Sequence, residues 1–324
     1  MIATIISKAI AQGIPLLYGS TGEILTEKSG NLNLGIPGIM YMGGGCGIIG
    51  AYLYEQFAQT PNPFLGILIP LLASLLGSTL AALIYSFLTI TLRANQNVTG
   101  LAITTFGVGF GDFFGGSITK LFSGGGTLSV KTTADYFKTA LPIADDLGWF
   151  GEVFLSHGFL AYVAVIIALV CAWVLNRTRV GLHLRAVGEN PATADAAGIN
   201  VTRYKYLATC IGGAIAGLGG LFFVMDYTGG SWTSGGFGDR GWLSIALVIF
   251  ALWKPNLGIL GSFVFGGLYI AYTYIDGLSR SAVAIFNMLP YVVTIVVLII
   301  TSIRNKKENQ PPASLGLPYF REER

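Results

Sequence analysis

The sequence predicts an all-α, polytopic membrane protein with about nine transmembrane helices, within a range of eight to ten. Three observations carry that prediction. Of the 324 residues, only 11% are Asp, Glu, Lys or Arg, whereas soluble proteins average about 25%. Apolar runs from Phe154 to Leu175, Tyr206 to Met225, Leu257 to Ile275 and Val283 to Ile303 exceed the ~18 residues that mark a membrane span. The chain also carries 45 glycines, many at the four-residue spacing that lets helices approach closely in lipid. Every backbone N–H and C=O in hydrocarbon must be paired within its own segment, so the runs are helices rather than isolated strands. A soluble globular core is excluded, because too little polar surface remains to cover it.

Taken in order, the apolar segments fall at 2–22, 36–56, 64–92, 98–116, 154–175, 206–226, 241–253, 257–275 and 283–303. The opening "MIATIISKAI" has no basic n-region and reads as a first span rather than a cleaved signal. The run 64–92 is long for one span and contains Pro70, so a tilt or kink is expected. "GGGCGIIG" (Gly43 to Gly50) and "GGAIAGLGG" (Gly212 to Gly220) are packing faces, as in Gly213-x-x-x-Gly217. A nucleotide-binding Gly-x-Gly-x-x-Gly would need a preceding strand, which this context lacks. Residues 1–303 are expected to form a single transmembrane domain, with a long external loop at 115–156 and a polar, flexible cytoplasmic tail at 304–324.

Alternation puts residues 23–35, 92–97, 176–205, 254–256 and 304–324 on one side, and these hold 13 of the 19 Lys and Arg residues. The positive-inside rule makes that side cytoplasmic, with the amino terminus outside and the carboxyl terminus inside. Trp173 and Trp253 fall at cytoplasmic helix ends and Trp242 at an outer one, as aromatic belts do. Cys46, Cys171 and Cys210 lie in apolar stretches without Cys-x-x-Cys spacing, so neither a disulfide nor a metal site is expected. The basic residues are not gathered on one face for nucleic acid.

The stretch "LRAVGENPATADAAGINVTRYK" (Leu184 to Lys205) is unusually polar for its place between two spans. Asn190 is a suitable N-cap, Pro191 a first helical residue and Gly198 a residue just past the end. A helix of about seven residues, Pro191–Ala197, follows from these signals. It is shorter than the ~12–15 residues an isolated helix needs in water, so something must pack on it.

This stretch resembles the cytoplasmic loop of ATP-binding-cassette (ABC) importer permeases of the simple-sugar and nucleoside branch. "GEILTEKSGNLNLGIPG" (Gly22 to Gly38), "RANQNVTGLAI" (Arg93 to Ile103), "FKTALP" (Phe137 to Pro142) and "PASLGLPYFREER" at the end are similar to further family motifs. Pro37 stands where many relatives carry Glu, and Asn97 where an apolar residue is usual. The absence of an additional first span places the chain nearer the shorter permease of a nucleoside-type pair. The resemblance implies a coupling helix that docks on an ATPase subunit, with Gly188, Asn190, Pro191, Ala194 and Gly198 shaping it and Arg185 and Glu189 as contacts. It implies further partners: a second permease, either a paralogue or a second copy of this chain, and an extracellular substrate-binding lipoprotein. The setting is a bacterial-type plasma membrane.

No P-loop, no ABC signature, no His-Glu-x-x-His and no Ser-His-Asp set is present; "FSGGGTL" (Phe122 to Leu128) is a superficial echo. The chain is therefore expected to bind no cofactor or metal and to catalyse nothing itself, with ATP and Mg²⁺ used by the partner ATPase. For the substrate path the candidates are Asn31, Asn33, Asn95, Gln96 and Asn97, whose amides suit hydroxyls or a nucleobase. Phe106, Phe110 and Phe113 are candidates for stacking on a ring. Asp112 is the one carboxylate that falls inside a predicted span away from its last two residues, where ionisable groups mark function. His157 is expected at the outer interface. The expected cargo is a nucleoside, with ribose or another simple sugar as the alternative. An ion-coupled secondary carrier is the rival of another class, and would favour carboxylates at the centre of the bundle.

Overall fold

A computed structural model describes residues 2–122, 128–140, 142, 144–275, 277–304 and 309–321. The "FSGGGTL" echo lies largely outside these residues. In chain order the helices are α1 (Ile2–Lys28), α2 (Ile36–Phe57), α3 (Pro63–Ser86), α4 (Gln96–Phe122), α5 (Lys131–Lys138), α6 (Gly148–Phe154) and α7 (Phe159–Arg177). They continue with α8 (Arg179–Glu189), α9 (Pro191–Ala196), α10 (Val201–Phe222), α11 (Arg240–Phe250), α12 (Pro255–Ile270) and α13 (Arg280–Arg304). One isolated antiparallel bridge, Ser129 to Ser231, is the only extended pairing among the described residues.

Among the described residues, seven helical segments are long and apolar enough to cross a membrane: α2, α3, α4, α7, α10, α12 and α13. The nine predicted segments thus divide into these seven and two of another kind. α1 has the length of a span, but buries Gln12, Ser20, Thr21, Glu23, Thr26 and Glu27. The predicted run 241–253 yields a helix of only 11 residues, about 16 Å at ~1.5 Å per residue. It stops at Phe250 because Leu252 and Trp253 turn the chain with φ of 53° and 54°.

α1, α2 and α10 form the centre, with α1 against α10, α12 and α11, and α2 against α3, α4 and α10. α2 and α10 are mostly enclosed, whereas α3, α4 and α13 expose most of their surface. The exposed residues there are apolar, including Leu76, Phe113, Ile285 and Ile303. So large an apolar exterior suits lipid rather than water.

Glycine makes the centre possible. A Cβ at Gly22 would overlap the Gly212 carbonyl and one at Gly212 the Gly22 carbonyl, so α1 and α10 cross backbone to backbone. Gly213 and Gly217 instead face Ala82 and Ser78 of α3. Gly107 meets the Gly38 backbone, while Gly109, half a turn away, has open space. Gly107→Ala is therefore expected to cost roughly 1–3 kcal/mol through overpacking, and Gly109→Ala to be neutral or mildly stabilising. Thermal unfolding of both detergent-solubilised variants checks this contrast; equal melting temperatures would count against the α2–α4 packing.

Two ends result. At one, residues 29–35 meet the loop before α4, the α8–α9 region, the turn before α12 and the tail. Gln96 Oε1 accepts from Leu32 N at 2.6 Å, Lys254 Nζ donates to Asn309 Oδ1 at 2.9 Å, and Gly316 N donates to Gly30 O at 3.1 Å. These are the stretches that alternation puts on one side. At the other end, Thr4 donates to Glu152, and Glu55 accepts from Thr133 N. The predicted external loop is partly helical: α4 runs on to Phe122, and α5 and α6 fill much of the remainder.

Candidate functional site

The α8–α10 connection is built from local signals. Asn190, extended at φ −150° and ψ 94°, caps α9 by accepting from Thr193 N at 3.0 Å, and Pro191 opens the helix. Gly198 ends the turn at φ +82°, a conformation that glycine adopts without a Cβ penalty. α9 closes at Ala196, one residue earlier than expected.

What packs on it is partly the chain's own tail. Ala194 is buried with Val187 and Val201 in a small apolar cluster that Tyr319 flanks. Tyr319 donates its hydroxyl to Asp195 Oδ2 at 3.0 Å, and Arg321 Nε lies 3.3 Å from the same oxygen. Ser314 N donates to Gly188 O at 3.0 Å, and Ala313 N points to Glu189 Oε2 at 3.4 Å. Residues 304–324 read as a polar tail from composition; their described part, 309–321, lies as a strap across the α8–α9 connection. The physical reason is specific hydrogen bonding, which composition does not reveal.

α8 sits hard against α1. A Cβ at Gly188 would overlap the carbonyl oxygen of Lys28, with Gly30 N behind it. Arg185 Nε is buried without a hydrogen-bond partner among the described residues. The outer side of α9, with Thr193, Ala196 and Ala197, is exposed, as are Val180 and Leu182 of α8.

The amides predicted for the substrate path brace this same end. Asn31 Nδ2 donates to Thr209 Oγ1 at 3.0 Å, and Asn33 N donates to Glu23 Oε1 at 3.0 Å. Asn33 Oδ1 accepts from Gly35 N at 2.9 Å, and Asn95 Oδ1 accepts from Val98 N at 3.1 Å, capping α4. Asn31, Asn33 and Gln96 are buried, and Asn95 and Asn97 are exposed. Phe106 and Phe113 point outward from α4, while Phe110 is half-buried between Phe106 and Phe114.

Asp112 is not the only carboxylate inside a helix of the bundle. Glu23 and Glu27 are buried one turn apart on α1, beyond the predicted end of its span at residue 22. Trp253 donates its indole N–H to Glu27 Oε2. It is therefore turned inward and buried, not part of a lipid-facing belt, whereas Trp173 is well exposed. The sequence signal for the pair was Glu23-x-x-x-Glu27, an i, i+4 spacing on an otherwise apolar helix.

A second polar locus lies deeper, around Tyr41 in the second turn of α2. Tyr41 donates to Asp112 Oδ1 at 2.7 Å and accepts from Gly235 N at 2.9 Å. Its ring meets Trp232 edge-on at 5.3 Å and Phe237 at 6.0 Å. Arg240, predicted in an outer loop, is buried beside this cluster. Its guanidinium lies 4.5 Å from the Phe223 ring centre and 5.1 Å from that of Tyr269, and Nη2 donates to Gln12 Oε1 at 3.2 Å. Trp232 Nε1 and Gln12 Nε2 are buried without partners among the described residues. Sequence reasoning missed Tyr41, Trp232, Phe237 and Arg240; the aromatic and glycine-rich run "GGSWTSGGFGDR" was the available signal.

His157 is likewise buried rather than interfacial, and its Nε2 donates to the Val153 carbonyl at 3.0 Å. Burial lowers its pKa below the ordinary imidazole value, which favours the neutral ring. No group of three His, Cys, Asp or Glu side chains suited to a metal occurs among the described residues.

Comparison with known proteins agrees with the motifs. A family model described as "Branched-chain amino acid transport system / permease component" matches residues 5–298. The "Nucleoside ABC transporter permease protein NupC" of Lactococcus lactis subsp. cremoris is 29% identical over 301 residues, 91% of this chain and 90% of its own. The "Guanosine ABC transporter permease protein NupQ" of Bacillus subtilis is 29% identical over 333 residues, spanning 100% of this chain and 98% of its own. The "Putative glucose ABC transporter permease protein TsgC13" of Haloferax volcanii is 32% identical over 265 residues, 82% of this chain and 75% of its own.

Proposed function

Since this chain belongs to the family of branched-chain amino acid transport system permease components and is an ABC transporter permease, we propose that its cargo is a nucleoside and that it works as the shorter permease of a paired importer. The family description names amino acids, but the two full-length relatives above are named for nucleosides and guanosine. The glucose-named relative keeps simple sugars as the alternative cargo.

Energy comes from a separate ATPase subunit that uses ATP and Mg²⁺, while an extracellular lipoprotein delivers the cargo. In this reading α1 and the short α11 join the seven apolar helices in crossing the membrane, with the amino terminus outside and the charged end cytoplasmic. α9 is the lever: closure of the ATPases on ATP pushes it, and the bundle rocks between two openings. The observation that carries this reading is the capped α9, buried at Ala194 against α8 and α10 while its outer side stays exposed. The aromatic cluster around Tyr41, Trp232 and Phe237 supports a nucleobase cargo, because rings of this kind stack on a base.

The buried Glu23 and Glu27 remove the sequence argument against a proton- or sodium-driven carrier. Each, however, accepts a hydrogen bond from the protein itself, Glu23 from Asn33 N and Glu27 from the Trp253 indole, and family membership favours ATP. The test is labelled purine nucleoside uptake in cells carrying the whole transporter. Uptake is expected to survive a collapsed ion gradient, to stop when ATP is depleted, and to be competed by purine nucleosides but not by ribose. Loss of uptake with the gradient would overturn the energy source, and competition by ribose alone would overturn the cargo.

A further inference from the structure

We propose that the cavity at the charged end of the bundle binds a phosphate anion, presented by the headgroup of an anionic phospholipid. The cavity, of about 770 Å³, lies between the end of α3, the start of α10 and the tail. Four basic side chains line it, Arg93, Arg203, Lys205 and Arg321, against one carboxylate, Asp195. That carboxylate is already engaged by the Tyr319 hydroxyl and by Arg321. Among the described residues the wall therefore carries more basic than acidic side chains.

Lys205 decides the matter. It is 3% exposed and stands five residues past the Asn200 cap of α10. Its side chain lines the cavity, and no hydrogen bond or ion pair to a described residue engages its ammonium. A buried cation without a counter-charge is costly, and such groups are retained where they pair with something. No described residue supplies that partner here, and the cavity that Lys205 lines is open to one from outside. The cavity also adjoins the positive end of the α10 dipole, where anions are favoured. Arg93 is held in place by the Phe320 ring, 4.6 Å below its guanidinium.

The surroundings favour a lipid over a free ion. Ile90 and the exposed Leu207 line the same cavity, and the exposed Phe87 and Leu92 flank Ile90 in sequence. A headgroup phosphate would sit among the basic side chains while its acyl chains lie over this apolar rim. Basic pockets between membrane helices on the cytoplasmic side bind phospholipid headgroups in this manner. The inference rests on the cytoplasmic assignment of the charged end, and not on the cargo or the energy source.

The experiment titrates the purified full chain in mild detergent with short-chain phosphatidylglycerol, short-chain phosphatidylcholine and inorganic phosphate, reading thermal unfolding. Native mass spectrometry of the same samples counts retained lipid. Phosphatidylglycerol is expected to bind, phosphatidylcholine to bind far more weakly, and Lys205→Gln to weaken phosphatidylglycerol by about fivefold or more. Arg203→Gln, at an exposed position, repeats the test should Lys205→Gln fail to fold. Equal binding of the two lipids, or unchanged affinity in both variants, would overturn the site. Protection by inorganic phosphate as strong as by phosphatidylglycerol would overturn the lipid as its source. Unchanged lipid affinity with loss of ATPase co-purification would mean that a partner carboxylate fills the cavity, which also overturns the proposal.

Discussion

Gly188→Val is expected to reach the membrane in normal amount, to keep its helices and to lose uptake by about five- to 150-fold. The reason is mechanical. Gly188 lies where α8 presses on the end of α1, and any Cβ there would overlap the Lys28 carbonyl. Its own carbonyl meanwhile accepts from Ser314 N in the strap. A valine must therefore push α8 away from α1, from the 29–35 loop and from the strap at once. Overpacking of this kind costs roughly 1–3 kcal/mol. A bias of 1–3 kcal/mol on a two-state element changes its equilibrium about five- to 150-fold. If α9 is the lever, the lost activity should appear as ATPase turnover uncoupled from uptake, with the ATPase subunit still bound. Wild-type uptake in the variant would show that α8 and α1 do not move as a unit. Loss of the protein from the membrane would show that the contact is needed for assembly instead.

How much of this was legible in the sequence follows from where the information lies along the chain. The α9 turn was legible, because Asn190, Pro191 and Gly198 act on their immediate neighbours. Gly212 was legible as a packing residue, but its partner Gly22 was not. The buried charges were not. Glu27 is held by Trp253 and Arg240 by Gln12, contacts more than 200 residues apart that no local pattern announces. For the same reason the end of α1 was drawn at residue 22: two glutamates look like a loop until their partners are seen. The run 241–253 is apolar enough for a span, yet the left-handed residues Leu252 and Trp253 cut it short. The strap over α9 was hidden because its bonds to Gly188 and Gly30 use backbone groups, which every sequence has. The amide-rich motifs and the α8–α9 stretch looked like separate sites; they meet because Gly188 and Gly30 remove the side chains that would keep them apart.

Glu23→Ala is expected to give the larger loss of stability, and Glu23→Gln to stay close to the native protein. Glu23 is fully buried, and its Oε1 accepts from Asn33 N at 3.0 Å. Asn33 in turn holds Gly35 N through its side chain, while its neighbour Leu32 is gripped by Gln96 and by the Tyr85 hydroxyl. Alanine would orphan the Asn33 amide in a place that excludes water. An orphaned buried donor costs roughly 1–3 kcal/mol, and the emptied volume adds to that penalty. Glutamine keeps an acceptor oxygen at nearly the same reach and removes only the charge. Thermal unfolding of the three proteins in one detergent separates the possibilities. A large drop for alanine with a small one for glutamine means that the carboxylate works as a hydrogen-bond acceptor bracing the 29–35 loop. An equal drop for both would mean that the charge itself is needed, and the bracing account of Glu23 would fail.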